Sequence, residues 1–218
     1  ALAVACDAAL GLGLSPAELS ALARRGSGSA ARSLIDGFAE MRAGKKEDGS
    51  DAYAVSIGDE GLLPMDILAV VTTRAKKGTS STKGMVRTAE TSPYYPGWVK
   101  QTREDLVSMR DALLASDFDR VGRLAEENAM RMHAVMLGAS PSLLYWNGVT
   151  VDVIRAVWAA RAEGARAWIT IDAGPQVKVL CAPGEGDHLE ATLREVPGVL
   201  TILRSRPGPG ASVVEAGA

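Results

Sequence analysis

Apolar residues change their spacing several times along this chain, and each change marks an element. Positions 1 to 12 are rich in Ala and Leu, a run that favours helix and is ended by Gly11 and Gly13. Ser15-Pro16-Ala17-Glu18 is a capping box with Pro at the first helical position, so a second helix is expected to about Arg24. Gly26-Ser27-Gly28-Ser29 breaks that pattern, and Ala30 to Leu34 is compatible with renewed helix. Phe38 to Met41 and Tyr53 to Ile57 read as strands flanking a charged, Gly-bearing turn, Lys45 to Asp51. Met65 to Thr73 is compact and apolar, as in a buried strand.

The second half begins with a basic, hydroxyl-rich loop, Arg74 to Lys83, and then becomes helical. Pro96 to Ala115 reads as one helix. Asp117 caps another, on which Phe118, Val121, Leu124, Ala125, Ala129, Met132 and Met136 share a face at helical spacing. Thr150 is expected to cap a third, to about Glu163. Ala167 to Ile171 and Val177 to Cys181 read as strands around the tight turn Asp172-Ala173-Gly174-Pro175. A helix from about Glu185 to Val196 then precedes a last strand, Val199 to Arg204. Helices and strands mixed without strict βαβ alternation predict an α+β layered domain. The stretch after Pro207 is Gly/Pro-rich and expected to fray.

Composition narrows the partners. A chain of 218 residues with 47% hydrophobic and 23% charged residues can bury a sizeable core. A formal net charge of −2 gives no reason to expect nucleic acid or an acidic membrane surface. No run approaches the length of a membrane span, and positions 1 to 12 lack the basic flank of a signal peptide. Cys6 and Cys181 sit in apolar runs with no CxxC pairing, which predicts two buried free thiols in a reducing, cytoplasmic compartment.

Three segments carry candidate chemistry. Ser27, Gly28, Ser29 and Arg32 combine small residues, hydroxyls and a guanidinium, a plausible clamp for phosphate or carboxylate. A Gly/Ser-rich turn between helices has the same composition. Lys76 and Lys77, followed by Thr79, Ser80, Ser81, Thr82 and Lys83, suit a polyphosphate, and equally a solvated basic loop. Asp172 ends a buried strand before a Gly turn, where a carboxylate can serve as general base or electrostatic anchor, or simply bond its own turn amides. His133 and His188 make no metal site, and Met130, Met132 and Met136 read as core.

Leu22 to Ser33, Ser80 to Met85 continuing into Thr88 to Tyr95, Glu127 to Ala134, and Asp172 to Pro175 together resemble the mevalonate diphosphate decarboxylases of the GHMP kinase superfamily. The four segments occur in family order, and the likeness runs from about Ala1 to Leu203. The resemblance implies two α+β lobes, with helices on antiparallel sheet and the active site between lobes. It assigns 1–57 to the amino-terminal lobe, 58–206 to the carboxyl-terminal lobe and 207–218 to a flexible tail. It implies phosphorylation of the substrate's tertiary 3-hydroxyl by ATP and Mg²⁺, then loss of phosphate and CO₂ to give isopentenyl diphosphate.

By that resemblance Asp172 is the catalytic aspartate and Arg32 grips the substrate carboxylate. Ser27, Gly28 and Ser29 line the substrate phosphate site. Ser80, Ser81, Lys76 and Lys77 approach the ATP phosphates, and no protein metal ligand is implied. The family is usually homodimeric. Its Gly/Ser/Ala-rich phosphate loop would precede Ala1, so the chain is expected to be one piece of a longer protein, inactive without that segment in the same or a companion chain. Thr82 stands where some relatives carry Arg, which leaves mevalonate 5-phosphate open as substrate. Mevalonate 3-kinase and a non-catalytic remnant are the remaining alternatives.

Overall fold

The computed structural model describes residues 1–214. They divide into two compact units. Positions 1–63 and 207–214 belong to the first, and positions 64–206 form the second.

In the first unit, α1 (Leu2–Leu10) ends at Gly11 in the left-handed conformation, and α2 (Pro16–Gly26) starts at Ser15 with both halves of the capping box formed. β1 (Phe38–Met41) and β2 (Ala54–Gly58) pair antiparallel. One buried hydroxyl ties these parts together. Ser20 Oγ donates to the Ala31 carbonyl at 3.0 Å and accepts from the Ala54 N–H at 2.9 Å, so helix, turn and strand share one side chain. Ala30 to Leu34 does not resume helix. It forms consecutive turns, including Ala30 N–H to the Ser27 carbonyl and Arg32 N–H to the Ser29 carbonyl. Ser20 takes the Ala31 carbonyl out of any helical ladder. Of the expected tail, 215–218 lie outside the described residues. Nearer residues hydrogen-bond to the first unit: Gly37 N–H meets the Gly208 carbonyl at 2.9 Å and Ala211 N–H the Ser33 carbonyl at 2.9 Å.

The second unit is an antiparallel sheet in the order β4-β5-β3-β6, built from β3 (Asp66–Val71), β4 (Ala167–Thr170), β5 (Val177–Cys181) and β6 (Thr201–Ser205). Burial alternates along β3: Asp66, Leu68 and Val70 are buried, while Ile67, Ala69 and Val71 are only partly so. The core lies between this sheet and two helices, α6 (Gly148–Ala162) and α7 (Gly186–Arg194), with Val153, Val157, Leu189 and Leu193 meeting Ile169, Val177 and Val179. Thr150 is not the cap of α6. Asn147 is, and Thr150 is its reciprocal partner three residues on.

The remaining helices are α3 (Ser81–Thr91), α4 (Tyr95–Leu114) and α5 (Phe118–Leu137), the last packed on α4 and on β4. The Phe118 to Met136 face of α5 is apolar, but it also buries Glu126 and His133. Cys181 is buried and Cys6 is exposed, so only one thiol follows the expectation of burial. Burial pushes the Cys181 thiol up to about 12. No helix among the described residues is long and apolar enough to cross a membrane.

Candidate active site

The Asp172 turn follows directly from the edge strand β4, and distant residues hold it. Gly174 N–H closes it locally onto the Asp172 carbonyl at 2.6 Å. Beyond that, the Pro175 carbonyl accepts from Thr72 Oγ1 at 3.1 Å and Thr150 Oγ1 at 2.7 Å. Gln176 works both ways on the end of β3, accepting from Thr72 N–H at 2.6 Å and donating to the Thr73 carbonyl at 2.7 Å. Asn147 adds a bond to Thr72 Oγ1 at 3.2 Å. A turn pinned from three elements holds its side chains in fixed directions.

The Asp172 side chain points outward, 88% exposed, and its Oδ2 accepts from Lys178 Nζ at 2.7 Å. Ala173 next to it is buried. Lys77 bridges the turn to the start of α3: its Nζ donates to the Ala173 carbonyl at 2.8 Å and to Ser81 Oγ at 3.0 Å. Ser80 caps α3, its Oγ accepting from Lys83 N–H at 3.3 Å, so the expected loop of Ser80 to Lys83 is a helix start. A helix start presents backbone N–H groups beside such hydroxyls, a donor array suited to anionic oxygens.

Asp172, Lys76, Lys77, Ser80 and Lys178 line one cleft of about 540 Å³. Across the Lys76–Lys77 loop lies a second hollow of about 420 Å³, to which Arg87, Tyr145 and Asn147 contribute. The Tyr145 hydroxyl donates to the Ser80 carbonyl at 3.3 Å, and burial raises its pKa. A side chain on Gly84 would collide with that hydroxyl, so the glycine is what lets α3 lie under the ring. Beneath Asp172, His133 is buried and packs on Trp146 with ring centroids 4.7 Å apart. Desolvation lowers its pKa, partly opposed by the backbone of Ile171 and Asp172 and by the Asp172 charge.

The structure thus brings together five predicted residues, Asp172, Lys76, Lys77, Ser80 and Ser81, in the second unit. The other four, Ser27, Gly28, Ser29 and Arg32, share the exposed turn of the first unit. There Ser27 Oγ and Ser29 Oγ are 3.1 Å apart, and Arg32 Nη1 reaches the Gly28 carbonyl at 3.5 Å, a marginal bond that leaves the guanidinium available. Lys178, Gln176, Arg87 and Tyr145 escaped the sequence reading. Lys178 had a signal, being the one charge in the apolar strand Val177–Cys181.

The fold and the cleft define an α+β protein with cations and hydroxyls gathered around one exposed carboxylate. Residues 67–202 match the family model of the mevalonate 5-diphosphate decarboxylase C-terminal domain, and residues 1–54 that of the diphosphomevalonate decarboxylase-like N-terminal domain. The chain belongs to the mevalonate diphosphate decarboxylase family, and its mixed helices and antiparallel sheets match the GHMP-kinase-like fold of that family's structures.

Among its relatives, the diphosphomevalonate decarboxylase of Ganoderma lucidum is 37% identical over 78% of this chain and 44% of its own length. The human diphosphomevalonate decarboxylase is 34% identical over 74% of this chain and 42% of its own. The chain therefore spans about half the length of the curated relatives it matches. The mevalonate diphosphate decarboxylase of Staphylococcus aureus superposes with a TM-score of 0.92 at 36% identity, covering 99% of this chain and 65% of that one. A structure of MDDEF in complex with MVAPP, AMPPCP and magnesium superposes at 0.88, with 38% identity over 96% of this chain and 64% of that one.

Proposed function

We propose that the protein carrying this chain decarboxylates mevalonate 5-diphosphate with consumption of ATP, giving isopentenyl diphosphate. The observation that carries this reading is the exposed Asp172 carboxylate in a cleft with Lys76, Lys77 and Ser80, in a chain of this family. The complex of a neighbouring structure with MVAPP, AMPPCP and magnesium supports the ligand set. In this reading the first unit belongs to the amino-terminal lobe and the second to the carboxyl-terminal lobe.

The 3-hydroxyl oxygen attacks the γ-phosphorus of ATP and ADP leaves. The C3–O bond then breaks with phosphate departing, and CO₂ is lost, its bonding pair becoming the new C=C. Asp172 takes the 3-hydroxyl proton as the O–P bond forms, passes it to solvent, and as a carboxylate then stabilises positive charge at C3, with Lys178 fixing it through Oδ2. Lys76, Lys77, Ser80 and Ser81 receive the nucleotide phosphates. Ser27, Gly28 and Ser29 hold the substrate phosphates, and Arg32 grips the departing carboxylate. Mg²⁺ would enter with the nucleotide, as suits a cation bound mainly through phosphates. The same reading makes the protein a cytoplasmic homodimer.

The test supplies purified protein with mevalonate 5-diphosphate, ATP and Mg²⁺ and follows CO₂ and ADP together. Equal release of both is expected. ADP without CO₂ would make the protein a 3-kinase, and neither product would remove the assignment. A second reading, mevalonate 5-phosphate as substrate, is favoured by exposed Thr82 in the first turn of α3, where some relatives carry Arg. Turnover of the monophosphate alone would select it.

A further inference from the structure

Two buried ionisable residues have no part in the chemistry above. Glu126 and His133 lie seven residues apart on α5, two helical turns along one face, and both meet the strand that leads to Asp172. β4 is an edge strand of its sheet, so its outer backbone groups need partners from elsewhere. Glu126 Oε2 accepts from Ile169 N–H at 3.0 Å. The same carboxylate takes both ends of the Arg161 guanidinium, at 2.9 and 3.0 Å, and Trp158 Nε1 at 3.0 Å. Arg161 in turn donates to the Ala167 carbonyl at 3.1 Å and lies 4.1 Å from the centroid of the Trp168 ring. At the other end of the strand, the His133 imidazole lies against the backbone of Ile171 and Asp172. Its Nε2 has no well-formed partner among the described residues. Gly122, one turn before Glu126, leaves room for Trp168, so α5 can seat closely on β4.

We infer that Glu126 and His133 are positioning residues: together they index β4 against α5 and so fix where the Asp172 carboxylate stands. Glu126 holds the strand at Ile169 and, through Arg161, at Ala167, and His133 meets the chain just past the strand's end. The inference rests on the proposed role of Asp172. A misplacement of about 1 Å can cost ~10²-fold in rate.

The experiment compares His133→Leu, His133→Asn, His133→Gln and Glu126→Gln in the intact protein. His133→Leu is expected to lower kcat by about 10-fold or more with KM within about twofold, while at least one amide variant regains most of the loss. Glu126→Gln keeps an acceptor for Ile169 N–H and is expected to lose less than His133→Leu. The deciding readout is a double-mutant cycle. In an Asp172→Asn background, His133→Leu should add almost nothing, because its effect passes through that carboxylate. A further loss equal to that in wild type, or no rescue by either amide, would overturn the inference. Should wild type turn over no mevalonate phosphate at all, the proposed function falls, and amide hydrogen exchange decides the positioning alone. Exchange at Asp172 to Gly174 should quicken in His133→Leu, and unchanged exchange would reject it.

Discussion

The two candidate regions, the Ser27 to Ser33 turn and the Asp172 turn, are bound into the molecule in opposite ways. In the first unit, the side chains of the Ser27 to Ser33 turn bond close by, Ser27 to Ser29, Arg32 to Gly28 and Ser33 to Ser29, none more than four residues apart, while Ser20 and Ala211 reach only its backbone, at Ala31 and Ser33. In the second, the Asp172 turn is held from far along the chain: Gln176 to Thr72 and Thr73, Pro175 to Thr72, and Ala173 to Lys77, all separated by 96 to 104 residues. Local bonds form whenever the segment folds, but they leave side chains free to follow a ligand. Long-range bonds exist only when the whole unit is assembled, and they set a carboxylate before any ligand arrives. The comparison separates a surface that adapts from one that is preset.

Replacing the preset carboxylate should have the largest effect. Asp172→Asn is expected to slow turnover by at least ~10²-fold while leaving thermal unfolding nearly unchanged, because the side chain is mostly exposed. Steady-state kinetics beside a melting curve checks both halves. Next comes the clamp. Gln176→Ala strips the buried Thr72 of its backbone partner and should destabilise by about 1–3 kcal/mol in urea titration. The adaptive region should behave differently. Arg32→Gln is expected to raise the substrate KM by about 10-fold, the scale of one charge-assisted contact, with stability moved by less than ~0.5 kcal/mol.

The smallest expected effect concerns pH. His133 is held neutral by burial, below its ordinary value of 6.5. The unfolded chain therefore takes up the proton first as pH falls, so stability is intact above pH 6.5 and declines below it. His133→Asn should remove that part of the decline in melting curves recorded from pH 7.5 to 5.

What the sequence revealed divides along the same line. Features written within four or five residues were legible: the Ser15 capping box, the Asp117 cap, and the strand Val177 to Cys181 within its observed bounds. Errors arose where a side chain served a distant partner. Ser20 stops Ala30 to Leu34 from continuing as helix, a bond eleven residues long that no periodicity displays. Thr150 resembles a cap in sequence because Asn147 and Thr150 bond reciprocally and either residue type can begin the pattern. The position of Asp172 was legible, since Asp-Ala-Gly-Pro between two apolar runs marks a turn between strands. Gln176 and Glu126 were not, since a lone polar residue announces its role only through the backbone it meets.

The contrast between the two thiols has a practical consequence. Cys6 is open to solvent, whereas Cys181 is sealed in the core with its proton firmly retained, so of the two near-neutral maleimide chemistry should mark Cys6 on α1. A fluorophore placed there would report on the first unit, giving this chain a native labelling handle that needs no engineered cysteine.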